Sequence, residues 1–440
     1  MALRTGNKPR KTRLGAAAVR KHKAKLPRIA AMALLLLTCL LHLKAAFLAQ
    51  LAINSGAGTE YFRSELSDPN SLARLARKEH LVDVNLPGAA DLYQKALTHF
   101  VLHIPSWLGL VEVYNDMGHQ EKARAALHFV QNFAATDEQA AWSRAMLAHD
   151  LDELEIMTDN LRLLAAGFPG KRRQVFALAE QHWPEADALL DRFDPVLHPD
   201  ILEYFIVMRD PAKAATAWAR VEGAGVADRK IVLRYVNFLL ERENVREAGQ
   251  IWRKYYGLGD SLLFNRELRE PFLGSGFGWR ISRAEGVSWR QAAGGQGLEI
   301  RFAGSANPLF RLSQLVPLAP GRYLFSATMS SQDLTTDQRP RWLLTGYKCE
   351  GLRVTGDMVP PSGPAALVSL TFAVPEACRA VQITLQRSES HYFDNKIAGS
   401  VTVTGPDLVQ IGPAEPEATA PGEAVKGNKR IDINTMRFVR

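Results

Sequence analysis

Residues 311–331 read RLSQLVPLAPGRYLFSATMSS. Two runs that alternate apolar and polar residues flank Pro320-Gly321, and a period of two marks half-buried strands. Pro presets φ and Gly relaxes it, so the pair reads as a tight corner. The stretch therefore predicts strand, turn and strand, joined as a hairpin. Its Leu, Val, Tyr and Phe residues should pack one face, while Gln314 and Arg322 serve structure or rim rather than catalysis.

Similar runs recur around it: LEIRFAG from 298, RWLLTGYKC from 341, ALVSLTFAV from 366, AVQITLQRS from 380 and GSVTVTG from 399. Seven or eight short strands divided by Gly and Pro predict an all-β antiparallel sandwich or jelly roll over 262–411. Upstream, residues 66–257 lack such runs and show a helical pattern with a repeat of 34. Ala89, Tyr93 and Ala96 return as Ala123, Leu127 and Val130, and Ala214, Trp218 and Val221 return as Ala248, Trp252 and Tyr255. Trp107, Leu110, Tyr114, Gly118, Ala123 and Leu127 fall at the offsets of a tetratricopeptide repeat, and Trp107 recurs at Trp142. Such units bury their apolar faces only by stacking, so an all-α superhelix with a concave surface follows. Trp107, Tyr114, Ala123, Trp142, Trp218, Ala248 and Trp252 are its expected packing residues. Between 160 and 198 the period degrades, which predicts irregular helices or a bend.

The net charge of +8 is confined to one end. Residues 1–28 hold ten of the 54 Lys/Arg and no acid; the remaining 44 face 46 Asp/Glu. That distribution excludes a nucleic-acid surface along the chain. An apolar stretch over 29–53 follows the basic tail, interrupted by His42 and Lys44. It is long enough for a transmembrane helix, and the positive-inside rule places the N-terminus in the cytoplasm and the bulk of the chain outside. A cleaved signal peptide is the alternative. Both export residues 54–411, where Cys349 and Cys378 are the only two cysteines. In an oxidising compartment they read as a disulfide, with two buried thiols as the other reading. Residues 412–440, rich in Pro, Glu, Ala and Gly near their start, read as a disordered tail.

No HExxH, G-x-S-x-G or Walker-type loop is present, and Gly274, Gly276 and Gly278 follow a loop rather than a strand entering a helix. No catalytic residue and no metal site are expected. Sugars stack their C–H faces on aromatic rings, which makes Trp279, Trp289, Trp342, Tyr347 and Tyr392 the candidates for carbohydrate binding. The competing reading for each Trp is plain core.

Gln314, the run Leu315 to Leu318, Pro320-Gly321, Tyr323 and Ser326 resemble the centre of galactose-binding-like jelly rolls and carbohydrate-binding modules. LLFNRELREPFLGSGFGWRI resembles their first strand and loop, although the usual Phe-Glu pair is broken around Phe264, Asn265 and Glu267. Asp407-Leu408-Val409 resembles their ending in reduced form. The whole order of basic anchor, degenerate tetratricopeptide repeats and sandwich resembles bacterial membrane-anchored proteins associated with exopolysaccharide or O-antigen assembly. The resemblance implies a non-enzymatic scaffold in the inner membrane with its bulk in the periplasm. Its partners would be a polysaccharide polymerase, ligase or export component in the repeat groove, and polysaccharide on the jelly roll. A purely protein-binding assembly factor and a polysaccharide lyase or hydrolase are the alternatives. Jelly rolls of that family often carry a structural calcium, but no acidic cluster commits to one and no cofactor is expected.

Overall fold

The computed structural model describes residues 26–54, 66–133, 137–258, 261–306, 310–391 and 395–413; side chains at 26–29, 45–46 and 48–54 are outside the description. Residues 1–25 of the expected basic tail (1–28), residues 414–440 of the expected disordered tail (412–440) and the candidate Tyr392 lie outside the described residues. The chain divides into two compact units, Met1–Val221 and Glu222–Arg440.

In the first unit, helix α1 (Leu26–Asn54) occupies the place of the expected anchor, and its described side chains are all exposed, among them Leu34, Leu37, Leu41 and Phe47. Among the described residues, however, no helix is long and apolar enough to cross a membrane. Ten further α-helices follow among the described residues. They are α2 (Pro69–Leu81), α3 (Leu86–His99), α4 (Ile104–Asp116), α5 (Gln120–Asn132), α6 (Glu138–Asp150), α7 (Leu154–Gly167), α8 (Arg172–His182), α9 (Ala186–Leu190), α10 (His198–Met208) and, reaching the boundary, α11 (Pro211–Gly223). Their starts carry helix-initiating chemistry. The Asp68 and Asp137 carboxylates accept from the backbone N–H groups of Ser71 and Ala140, and Pro69 supplies a preset φ where no N–H is missed.

The 34-residue period marks the packing positions. Ala89, Tyr93 and Ala96 of α3 are buried, and so are Ala123, Leu127 and Val130 of α5. Gly109 completes the arrangement, because a Cβ there would stand 2.2 Å from the Tyr93 ring. Burial first, and Glu112 second, push the Tyr93 hydroxyl up to about 12, so it stays protonated as a packing group. Where the period fades, α8 and α9 are short and are flanked by single 3₁₀ turns at Pro169–Lys171 and Pro195–Leu197.

A half-buried histidine pair joins α6 to α8: His149 Nδ1 and His182 Nε2 are 2.6 Å apart. Desolvation first, then the neighbouring His149, lowers the His182 pKa from 6.5, and desolvation also lowers that of buried His103. As pH falls below 6.5, the unfolded chain takes up these protons more readily than the folded one, so stability is lost over that window. The thermal midpoint of this unit is expected to be lower at pH 5 than at pH 7.5, and His182→Gln should flatten the dependence. Calorimetry across that range measures both.

In the second unit, α12 (Arg229–Glu241) and α13 (Val245–Tyr256) precede two five-stranded antiparallel sheets. One has the order β1 (Arg280–Ile281), β4 (Arg311–Pro317), β9 (Ala380–Gln386), β6 (Arg341–Gly346) and β7 (Arg353–Thr355). The other has the order β2 (Val287–Gln291), β3 (Leu298–Ala306), β10 (Lys396–Gly412), β5 (Gly321–Gln332) and β8 (Gly363–Val374). All seven predicted runs are strands; the short β1, β2 and β7 were too brief to show a period. The inner faces share one core, to which Ile300, Phe325, Val381, Ile383, Leu385 and Val403 contribute fully buried side chains.

The expected hairpin at 311–331 is corrected. β4 pairs with β1 and β9, whereas β5 pairs with β10 and β8, so the two strands lie in different sheets. Pro320-Gly321 turns the chain from one layer to the other. Tyr323 holds the corner by donating its hydroxyl to the Ala319 carbonyl at 2.9 Å and stacking on Phe372. Strand alternation is nonetheless as predicted, with Tyr323, Phe325, Ala327 and Met329 inward along β5. Gln314 is no rim residue: it is fully buried, and its amide donates to the Phe264 carbonyl at 2.9 Å. Cys349 and Cys378 form the expected disulfide, with Cα atoms 5.4 Å apart.

α13 belongs to this unit through an aromatic cluster. Trp252 stacks on Tyr256 and meets Phe264 and Phe277 edge-on at 5.2 and 5.7 Å. The loop GSGFG explains itself here. Gly276 has φ +57°, a Cβ on it would stand 2.7 Å from the Trp252 ring, and its N–H donates to the Asn237 side chain at 2.8 Å. Lys348 reaches Glu243 at 2.8 Å across the same junction.

Candidate functional site

Two concave sites stand out, one in each unit. In the first, α3, α4 and α5 form a groove of about 610 Å³ whose walls include Leu97, Trp107, Leu110, Tyr114, Ala126 and Phe129. Repeat packing explains their placement. Ala123 is fully buried between helices and Leu110 faces the core, whereas Trp107 and Tyr114 sit partly exposed on the concave side. Trp107 is fixed at both ends, since its indole N–H donates to the Val101 carbonyl at 2.7 Å and its ring lies 4.5 Å from that of Phe129. Phe129 is 42% exposed and also meets Phe133. Gln94 donates to the Tyr114 hydroxyl at 2.7 Å, and the Lys122 ammonium stands 5.7 Å from the Tyr114 ring. Rigid aromatics with a polar handle, on an apolar concavity, suit an apolar segment of another chain.

The other predicted packing residues divide. Trp218, Ala248 and Trp252 are buried, and Trp142 is half-buried. Phe129, a groove residue that the repeat offsets did not single out, was legible only as an aromatic six places after Ala123.

In the second unit a pocket of about 530 Å³ is formed by α13 and the arch from Pro317 to Pro320. Arg246, Gln250 and Arg253, at spacing i, i+4 and i+7, occupy one face of α13, and Arg379 stands opposite just before β9. Gly249 lets helix and arch come together, since a Cβ there would stand 3.0 Å from that of Pro317. No residue of this pocket was among the candidates, because the arginines gain meaning only once α13 and the arch are adjacent.

The aromatic candidates for sugar binding are not brought together. Trp279 and Trp342 are fully buried in the sandwich core with ring centroids 6.4 Å apart, so neither offers a face to a ligand. Plain core, the competing reading for each Trp, describes both. Trp289, on the edge strand β2, is 37% exposed and pairs opposite Ile300. Tyr347 is half-buried beyond the end of β6 in the other sheet. Glu299 bridges Arg290 and Arg301 at 2.7 and 2.5 Å, and those two arginines hold its pKa below the usual range. Among the described residues no group of His, Cys, Asp and Glu is placed to hold a metal ion.

No family model and no curated protein matches the chain. Solved structures do show likeness. The enzymatically active domain of bacteriophage CBA120 tailspike protein 4 is 12% identical over 34% of this chain and 22% of its own, with a TM-score of 0.26. The carbohydrate-binding module TmCBM61, solved with β-1,4-galactotriose, is 14% identical over 35% of this chain and all (100%) of its own, with a TM-score of 0.25. YrrB, a TPR protein with an unusual peptide-binding site, is 14% identical over 45% of this chain and 90% of its own, with a TM-score of 0.23. Likeness at this level carries no argument about what this chain binds. The description that stands is a helical-repeat unit followed by a β-sandwich.

Proposed function

We propose that this chain is a non-enzymatic scaffold of a bacterial envelope, anchored in the inner membrane, whose repeats hold a polypeptide while its sandwich holds polysaccharide during assembly or export. The observation that carries the reading is the groove at Trp107 and Phe129, an apolar concavity of about 610 Å³ with preset aromatic walls. An amphipathic helix or apolar strand of a polymerase, ligase or export component would bury against it. Anchoring draws support from the ten cations of 1–28 ahead of the exposed leucines of α1, and a periplasmic bulk from the Cys349–Cys378 disulfide.

A photo-crosslinking amino acid at Phe129, in cells of the source organism, tests the groove. Glu121, whose side chain is 91% exposed, is the control position. A discrete polypeptide adduct is expected from position 129 and none from 121, and Trp107→Ala should reduce it at least about tenfold, the loss of one buried aromatic anchor at an interface. Equal adducts at both positions, or an adduct that Trp107→Ala leaves intact, would contradict the reading.

A further inference from the structure

The pocket between α13 and the Pro317–Pro320 arch has an unbalanced charge. Lys254 at its rim is paired with Glu222 at 2.9 Å. The side chains of Arg246, Arg253 and Arg379 have no hydrogen-bond or carboxylate partner among the described residues, and all three are exposed. Three guanidinium groups converging on one concavity repel one another until an anion joins them. Each presents a planar fork that matches a carboxylate bidentately. Arg246 and Arg253 are two helical turns apart, about 10 Å, so a ligand that satisfies both carries anionic groups on more than one of its units.

The floor decides between a peptide and a glycan. Pro317 and Pro320 have no N–H, the Leu318 N–H already donates to the Arg379 carbonyl at 3.1 Å, and the Ala319 carbonyl already accepts from Tyr323. An extended peptide finds no row of free backbone groups on which to add as a strand. A sugar ring needs none: its C–H face can lie on Pro317 and Pro320 while its acid groups reach the arginines. We propose that this pocket binds an acidic polysaccharide through carboxylates on successive sugars. The proposal rests on the reading that the second unit holds glycan, and it names the site and the ligand class.

Affinity electrophoresis of the full chain tests it, with gels containing polygalacturonate, poly-L-glutamate or the organism's own envelope polysaccharide. Polygalacturonate is expected to retard the chain at about 0.15 M salt, and more at lower salt. The triple variant Arg246→Gln, Arg253→Gln, Arg379→Gln should bind it at least about tenfold more weakly, as loss of charge-assisted pairs requires. An unchanged thermal midpoint would show that the variant is folded. Poly-L-glutamate bound as tightly as polygalacturonate would overturn the proposal in favour of an acidic protein, and so would a triple variant retarded by polygalacturonate as strongly as the parent. Retardation by the envelope polysaccharide that the triple variant keeps in full would overturn the proposal while leaving the glycan reading in place. Retardation by neither polysaccharide would overturn both.

Discussion

Trp342→Ala is expected to destabilise the β-sandwich by about 3–5 kcal/mol, the cost of emptying a large aromatic site in a packed core. Trp342 is fully buried on β6, its ring lies 4.8 Å from Phe325 and 6.4 Å from Trp279, and its indole N–H points at the Met329 sulfur at 3.0 Å. Chemical denaturation followed by fluorescence would measure the loss. Trp289→Ala on the exposed edge should cost less than about 1 kcal/mol by the same method, since edge positions away from the core tolerate change. Equal, small effects for both would mean that Trp342 is not the core residue described above. With the expected large loss, any failure of Trp342→Ala to bind sugar would report unfolding rather than a missing platform.

Trp252→Ala should be comparably costly, about 3–5 kcal/mol, but for a different reason. Its indole stacks on Tyr256 at 3.8 Å and fills the space between Phe264, Phe277 and Gly276, so its loss empties the seam between α13 and the sandwich. Amide exchange should rise in 229–256 before it rises in β3, β5 and β10, whose pairing does not involve this ring. Gly276→Ala, which strains a left-handed φ and meets Trp252, should reproduce part of the effect. A cooperative loss with no difference between helices and strands would contradict the seam as a separate packing element.

The contrast between these two tryptophans shows what the linear chain could disclose. Alternation along LEIRFAG or RYLFSATM reports which side chains face inward, because that depends only on neighbours two residues away. Pairing does not: β4 and β5 carry hairpin-like text, yet they belong to opposite sheets, since the corner holds Pro320 and a Tyr323 anchor rather than a turn that returns the strand on itself. The 34-residue period picks out Ala123 and Ala248, both fully buried, because close helix approach demands small side chains at fixed intervals. It could not tell that Trp252 has exchanged a repeat neighbour for Phe264 and Phe277, which lie beyond the period. Aromatic content pointed to sugar platforms, but burial removed Trp279 and Trp342. The basic pocket escaped notice since Arg246 and Arg379 are 133 residues apart in the sequence and meet only through the fold.

Binding without chemistry is the central claim, and one measurement addresses it directly: incubation of the full chain with the organism's own envelope polysaccharide, read both as electrophoretic mobility of the protein and as chain length of the polymer. The protein is predicted to be retarded and the polymer to keep its length. Unretarded protein, or a polymer that shortens with time, would contradict it.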